Sequence, residues 1–143
     1  MKVKIKRFDK TIDLPSYKTL GAACIDLYSR ETIAIKAHEV GLISLNIAIQ
    51  IPKDHFGVLL ARSSTHKMGI MAANGIGIID SDYCGDNDEI SFAALNFTDR
   101  EVTIEKATRV AQLMVLTCKQ MEIIEVSKLK NKDRGGFGST GKK

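Results

Sequence analysis

The sequence predicts an all-β protein, a sandwich or barrel built from many short strands. Apolar residues recur with period two along most of the chain. Turn residues interrupt these runs at short intervals, around residues 36–39, 52–54, 86–88 and 98–100. One segment alone, residues 63–69, reads as a short helix, with a serine or threonine as N-cap. Such a pattern suits a sandwich or barrel better than βαβ units.

Residues 3–5 and 32–35 alternate apolar with polar or small side chains. Residues 42–51 extend the pattern and set Ile43, Leu45, Ile47, Ile49 and Ile51 on one face. Residues 56–60 form a strand-like run that leads into Ala61-Arg-Ser-Ser64. Residues 74–83, Asn-Gly-Ile-Gly-Ile-Ile-Asp-Ser-Asp-Tyr, carry two glycines one residue apart, which fits a β-hairpin with special backbone angles. Residues 90–95, 101–104 and 110–117 complete the strands. The chain then runs to Arg134-Gly-Gly-Phe-Gly-Ser-Thr-Gly-Lys-Lys143, where four glycines surround an aromatic ring, an arginine and two hydroxyls. That tail reads either as a lid closing over a nucleotide or as a frayed terminus.

At 143 residues the chain fits one domain, with residues 1–130 as the body and 131–143 as a flexible tail. Hydrophobic residues make up 44% and charged residues 27%, the balance of an ordinary soluble globular protein. The net charge of +4 suits an anionic small ligand. No long basic run is interleaved with aromatics, which argues against nucleic acid as a partner. The first eight residues lack the apolar core of a secretory signal, and no apolar run is long enough for a membrane helix. A cytoplasmic location is expected. Cys24, Cys84 and Cys118 are odd in number, widely spaced and without a CxxC pattern, so reduced thiols are expected.

Four groups carry chemical potential. Asp26 lies in the mostly apolar run Ala22-Ala-Cys-Ile-Asp-Leu27, where a carboxylate needs a partner or a cation. Arg62, Ser63 and Ser64 stand at a predicted helix start, which could be an anion site or an ordinary cap. Asn74 offers both donor and acceptor to an amide-like base edge, Asp80 could activate water, and Tyr83 could pack on a sugar. Asp80 and Asp82 share a side if the strand continues past them. Arg109 and Gln112 flank Val110-Ala111 in a strand, and either could be structural or face phosphate.

Taken together, these segments resemble the homotrimeric dUTP pyrophosphatase (dUTPase) family, with all five of its motifs in order from about residue 22 to the tail. The resemblance implies a distorted jelly-roll subunit, a homotrimer, and active sites at subunit interfaces, each completed by another subunit's tail. It implies Mg²⁺-dependent hydrolysis of dUTP to dUMP and pyrophosphate, which limits uracil in DNA and supplies dUMP. Asp26 would help to hold hydrated Mg²⁺. Asp80 and Arg62 would be catalytic, Asp80 positioning the attacking water and Arg62 tied to the carboxylate network. Substrate would be bound by Ser63, Ser64, Asn74, Gly77, Ile79, Asp80, Tyr83, Gln112, Arg134, Phe137, Gly138, Ser139 and Thr140. Among these, Asn74 reads uracil, Tyr83 stacks on deoxyribose, Phe137 covers the base, and Arg134, Ser139 and Thr140 grip phosphate.

The sequence departs from the family pattern at several places. Cys24 and Ala107 stand where the family often has glycine, and Ala61 where it often has proline. Residues 86–88 look like a small insertion, and the fifth motif is short between its arginine and its Gly-Phe. Other readings within reach are a dCTP deaminase or bifunctional deaminase–dUTPase of the same superfold, and a non-catalytic dUTP-binding regulatory trimer. Ammonia release from dCTP, or binding without turnover, would mark them.

Overall fold

The computed structural model describes residues 1–136. Eleven strands run through it: β1 Lys4–Arg7, β2 Ile25–Tyr28, β3 Ile33–Ile35, β4 Val40–Ser44, β5 Ile47–Gln50 and β6 His55–Ala61, then β7 Ile70–Ala72, β8 Gly77–Ile79, β9 Ser91–Asn96, β10 Val102–Ile104 and β11 Arg109–Thr117. A 3₁₀ turn, Thr65–Met68, is the one helical element among the described residues. All pairings are antiparallel. The strands form a four-stranded sheet β2-β11-β6-β8, a three-stranded sheet β4-β9-β7, and the pairs β1-β5 and β10-β3.

The core lies between these sheets. Leu45, Ile47 and Ile70 are fully buried, and Ile43, Phe92 and Leu113 nearly so. All five residues expected on one face of residues 42–51 are buried. Each such side chain contributes about 1.5–3 kcal/mol by leaving water, and truncation to alanine would cost about 2–5 kcal/mol.

The run 42–51 is nevertheless two strands. Asn46 breaks it with φ 65, the left-handed region that asparagine tolerates better than most residues. Its buried side chain accepts from the Asp9 N–H at 2.6 Å and donates to the Asp9 carbonyl at 2.9 Å. The chain therefore leaves one sheet at Ser44 and enters another at Ile47.

The short helix is present but begins differently from expectation. Ser64 occupies the N-cap position without a side-chain capping bond. Thr65, fully buried, instead accepts from the Arg62 N–H at 2.9 Å and donates to the Val110 carbonyl at 2.9 Å. Gly69, with φ 79, ends the turn. The hairpin expected at residues 74–83 is a turn whose two arms part. β7 pairs with β9 and β8 with β6, so the arms join different sheets. β8 also ends at Ile79, so Asp80 and Asp82 do not share a strand face.

Candidate active site

Three strands of the four-stranded sheet build the polar end of the molecule. Gln112 on β11 is level with Asp26 on β2 and Leu60 on β6. Their neighbours Leu27, Ala111 and Leu59 point into the core, so Asp26 and Gln112 share the opposite face. Gln112 donates to the Ala61 carbonyl at 2.9 Å and braces the end of β6. Arg62, the next residue, turns its guanidinium back over Asp26.

Asp26 is held from two sides. Arg62 Nε donates to Oδ1 at 2.8 Å, and an Arg109 terminal nitrogen donates to Oδ2 at 3.0 Å. Arg62 also bonds the Arg109 carbonyl at 3.1 Å and the Ser64 hydroxyl at 3.3 Å. The Asp26 side chain is 14% exposed and that of Arg62 22%, so this network is screened less than a surface pair.

Arg109 reaches Asp26 because β11 bulges. The register shifts between Arg109 and Ala111, and Val110 and Ala111 are both fully buried. Strict alternation would put Arg109 and Gln112, three residues apart, on opposite faces. The extra residue brings Arg109 to the Asp26 face. Its tie to Asp26 was not legible, because a bulge leaves no mark in a period-two pattern.

The turn that launches β11 is also anchored. Ala107 takes φ 63, which explains why glycine suits that position. Its N–H donates to the Ser29 carbonyl at 2.8 Å, and Ser29 returns a 2.8 Å bond to Thr108. Lys106 Nζ contacts the Asp9 carboxylate at 2.5 Å. That bond, with those from Thr11, holds the Asp9 carboxyl well below the usual carboxylate range. Cys24, two residues before Asp26, behaves oppositely: burial, then the Asp26 charge, pushes its thiol up. It is therefore a poor nucleophile.

The other predicted residues sit elsewhere. Asn74 and Asp80 are exposed, and Tyr83 is 40% exposed. Gly77 is pressed on Leu59, where an added Cβ would come within 3.1 Å of the leucine Cβ. Gly77 and Ile79 are half-buried on β8, and Ser63 is exposed just before the 3₁₀ turn. Ile79, the last residue of β8, pairs with Gly57, five positions back from Arg62, and Asp80 follows it. At the rise of a β-strand that separation is on the order of 20 Å. Tyr83 stays near Asp80 through a turn bond from its N–H to the Asp80 carbonyl at 3.2 Å. One chain thus brings Asp26, Arg62, Ser64, Arg109 and Gln112 together and leaves Asp80 and Tyr83 at the far end of the same sheet. Arg134 is exposed near the end of the described residues. Phe137, Gly138, Ser139 and Thr140 lie outside them, with residues 137–143 of the expected lid.

Among the described residues no group of three or more His, Cys, Asp or Glu could cage a metal ion, and no helix is long and apolar enough to cross a membrane. Each Asp26 oxygen accepts one N–H, which leaves one lone pair on each. Such a carboxylate suits an ion that keeps its waters and phosphate ligands, the ordinary habit of Mg²⁺.

Residues 10–141 match the family model described as dUTPase. The chain is 40% identical to the deoxyuridine 5'-triphosphate nucleotidohydrolase of Nautilia profundicola, over 99% of this chain and 100% of the relative. It is 37% identical to the protein of that name from Hydrogenobaculum sp., over the full length of both. In structure it is similar to the Staphylococcus bacteriophage 80alpha dUTPase with dUPNHPP. The TM-score is 0.85 with 98% of each chain covered, and at 22% identity this likeness speaks for the fold.

Proposed function

The chain belongs to the dUTPase family, and from that premise we propose which of its residues carry the reaction. The reaction is hydrolysis of dUTP to dUMP and pyrophosphate. The observation that carries the assignment of roles is the Asp26–Arg62–Arg109 cluster at the ends of three neighbouring strands, with each Asp26 oxygen held by one arginine.

Water attacks the α-phosphorus. The bond to the bridging oxygen breaks, and pyrophosphate leaves with that oxygen. Asp80 orients the water and takes its proton. Asn74 reads the uracil edge through its amide, and Tyr83 lies against deoxyribose and crowds out a 2′-hydroxyl. Ser63, Ser64, Gln112 and Arg134 meet the phosphates, with Ser139 and Thr140 of the tail. Phe137 and Gly138 cover the base, and Gly77 and Ile79 shape its pocket. Mg²⁺, met by Asp26 through its waters, would supply charge neutralisation on the triphosphate. Arg62 and Arg109 hold the Asp26 carboxylate in place from both oxygens.

A homotrimer with shared sites accounts for the split between Asp80 and Asp26. A gap on the order of 20 Å along β6 is longer than one α-phosphate and its water span, which supports a neighbour's Asp80 completing each Asp26 cluster. The outer face of the β4-β9-β7 sheet supports association. Val40 and Met71 sit level with Leu95 and beside Leu42, and Val40, Leu42 and Met71 are 56%, 67% and 48% exposed.

The test is pyrophosphate release from dUTP, dTTP, dCTP and UTP, each with Mg²⁺ and with EDTA. Turnover of dUTP alone, lost with EDTA, is the expected result. Ammonia from dCTP would replace this reading with a deaminase, and tight dUTP binding without turnover would replace it with a regulator.

A further inference from the structure

Tyr83 is tethered. Its hydroxyl donates to the Glu89 carbonyl at 3.1 Å. That carbonyl belongs to a residue fixed on several sides. The Glu89 carboxylate accepts from the buried Asn46 N–H at 2.9 Å and lies 3.0 Å from Arg30 Nε, with its side chain 13% exposed. The next residue, Ile90, is 1% exposed and exchanges 2.9 Å backbone bonds with Leu45 and Ile47. Arg30 is itself placed, its N–H bonded to the Ser44 carbonyl at 2.8 Å and its guanidinium 5.6 Å from the centre of the Phe8 ring. The intervening loop is closed on itself and tied to β1: Gly85 N–H donates to Asp88 at 2.6 Å, and Lys6 Nζ reaches the Asp86 carbonyl at 2.5 Å. An exposed aromatic ring would ordinarily sample several rotamers. This one hangs from a point set by the core.

We propose that Glu89, held by Arg30 and Asn46, is a positioning residue that fixes the Tyr83 ring and thereby sets how strongly the enzyme rejects a ribonucleotide. The loop at residues 84–89, including the apparent insertion, is the strap between them. The inference rests on the reading of Tyr83 as the sugar contact. A ring held by its hydroxyl keeps its face where a 2′-hydroxyl would collide. A ring released from Glu89 swings and makes room. Release therefore raises UTP turnover more than it lowers dUTP turnover, since deoxyribose needs only a loose surface beside it.

Two variants separate the tether from its anchor. Tyr83→Phe keeps the ring and removes the bond. Glu89→Gln keeps an acceptor for Asn46 N–H and removes the ion pair with Arg30. Steady-state kcat and KM for dUTP and UTP, with Tm, are measured on the full-length protein. The ratio of kcat/KM for dUTP over UTP is expected to fall about fivefold in Tyr83→Phe, the worth of one hydrogen bond. It is expected to fall about twofold to threefold in Glu89→Gln, the worth of a weak ion pair, with kcat for dUTP retained. A fall in Tm with both substrates depressed together would show that Glu89 is merely structural and overturn the proposal. An unchanged ratio in both variants would also overturn it. Absence of dUTP turnover in the unmodified protein would instead overturn the functional reading beneath it.

Discussion

The two ends of the four-stranded sheet are built on opposite principles. At the Asp26 end, carboxylate, guanidinium, hydroxyl and backbone carbonyl satisfy one another across three strands before any ligand arrives. At the Asp80 end, Asn74 and Asp80 are exposed, and Ile76 and Ile78 are 57% and 55% exposed on the intervening segment. One end is preorganised: its charged groups are fixed against one another within the chain itself. The other presents apolar and polar groups to whatever docks against it. On the proposed reading, folding completes the first half of the site and assembly the second.

Subunit complementation probes this contrast with the largest effect. Asp80→Asn is expected to lower kcat by about 10²–10⁴-fold, as for loss of a general base. Asp26→Asn is expected to be inactive too. Trimers reassembled from an equal mixture should recover about a quarter of normal turnover, because about one site in four pairs an intact Asp80 with a neighbour's intact Asp26. A mixture as inactive as its components would mean that the two ends do not meet across an interface.

A smaller effect is expected on acidification. The Asp9 carboxyl is held below its unfolded value, so its contribution to stability is complete above about pH 4 and fades as pH falls toward the folded value. Asp9 clamps Lys106 beside the turn that launches Arg109, so the loss falls on the preorganised end. Urea midpoints between pH 7 and pH 3 should show the native protein losing its advantage over Asp9→Asn below pH 4. A gap constant with pH would exclude the clamp. The smallest expected effect is at Ala107. Ala107→Gly relieves a left-handed alanine and should raise stability by about 0.5–1 kcal/mol, after the entropy that glycine adds to the unfolded chain. A lower urea midpoint would mean that the turn draws its stability from the Ala107 methyl.

Much of this was readable from residue order, for identifiable reasons. Alternation located the strands that became β3, β9, β10 and β11, because a half-buried strand must show one face to the core. It placed Ile43, Leu45, Ile47, Ile49 and Ile51 inside but missed the break at Asn46, since the pattern of burial continues through the switch between sheets. It could not show that β7 and β8 pair with different partners, because period two encodes a face and not a neighbour. Asp26, Arg62 and Gln112 were identifiable as residue types in unusual company. The Arg109 grip was not, because it depends on one extra residue in β11.

The bond between Arg109 and Asp26 spans 83 positions of the chain. Contacts of such long range form slowly, since loop closure must precede any gain from them. A nascent chain has β2 long before it has β11. The Asp26 cluster therefore cannot assemble until Arg109 has been synthesised and has emerged from the ribosome. An interrupted translation product that stops before β11 has no partner for β2 and no Arg109 grip on Asp26. Synthesis and competence are separated in time, and the last strand gates both.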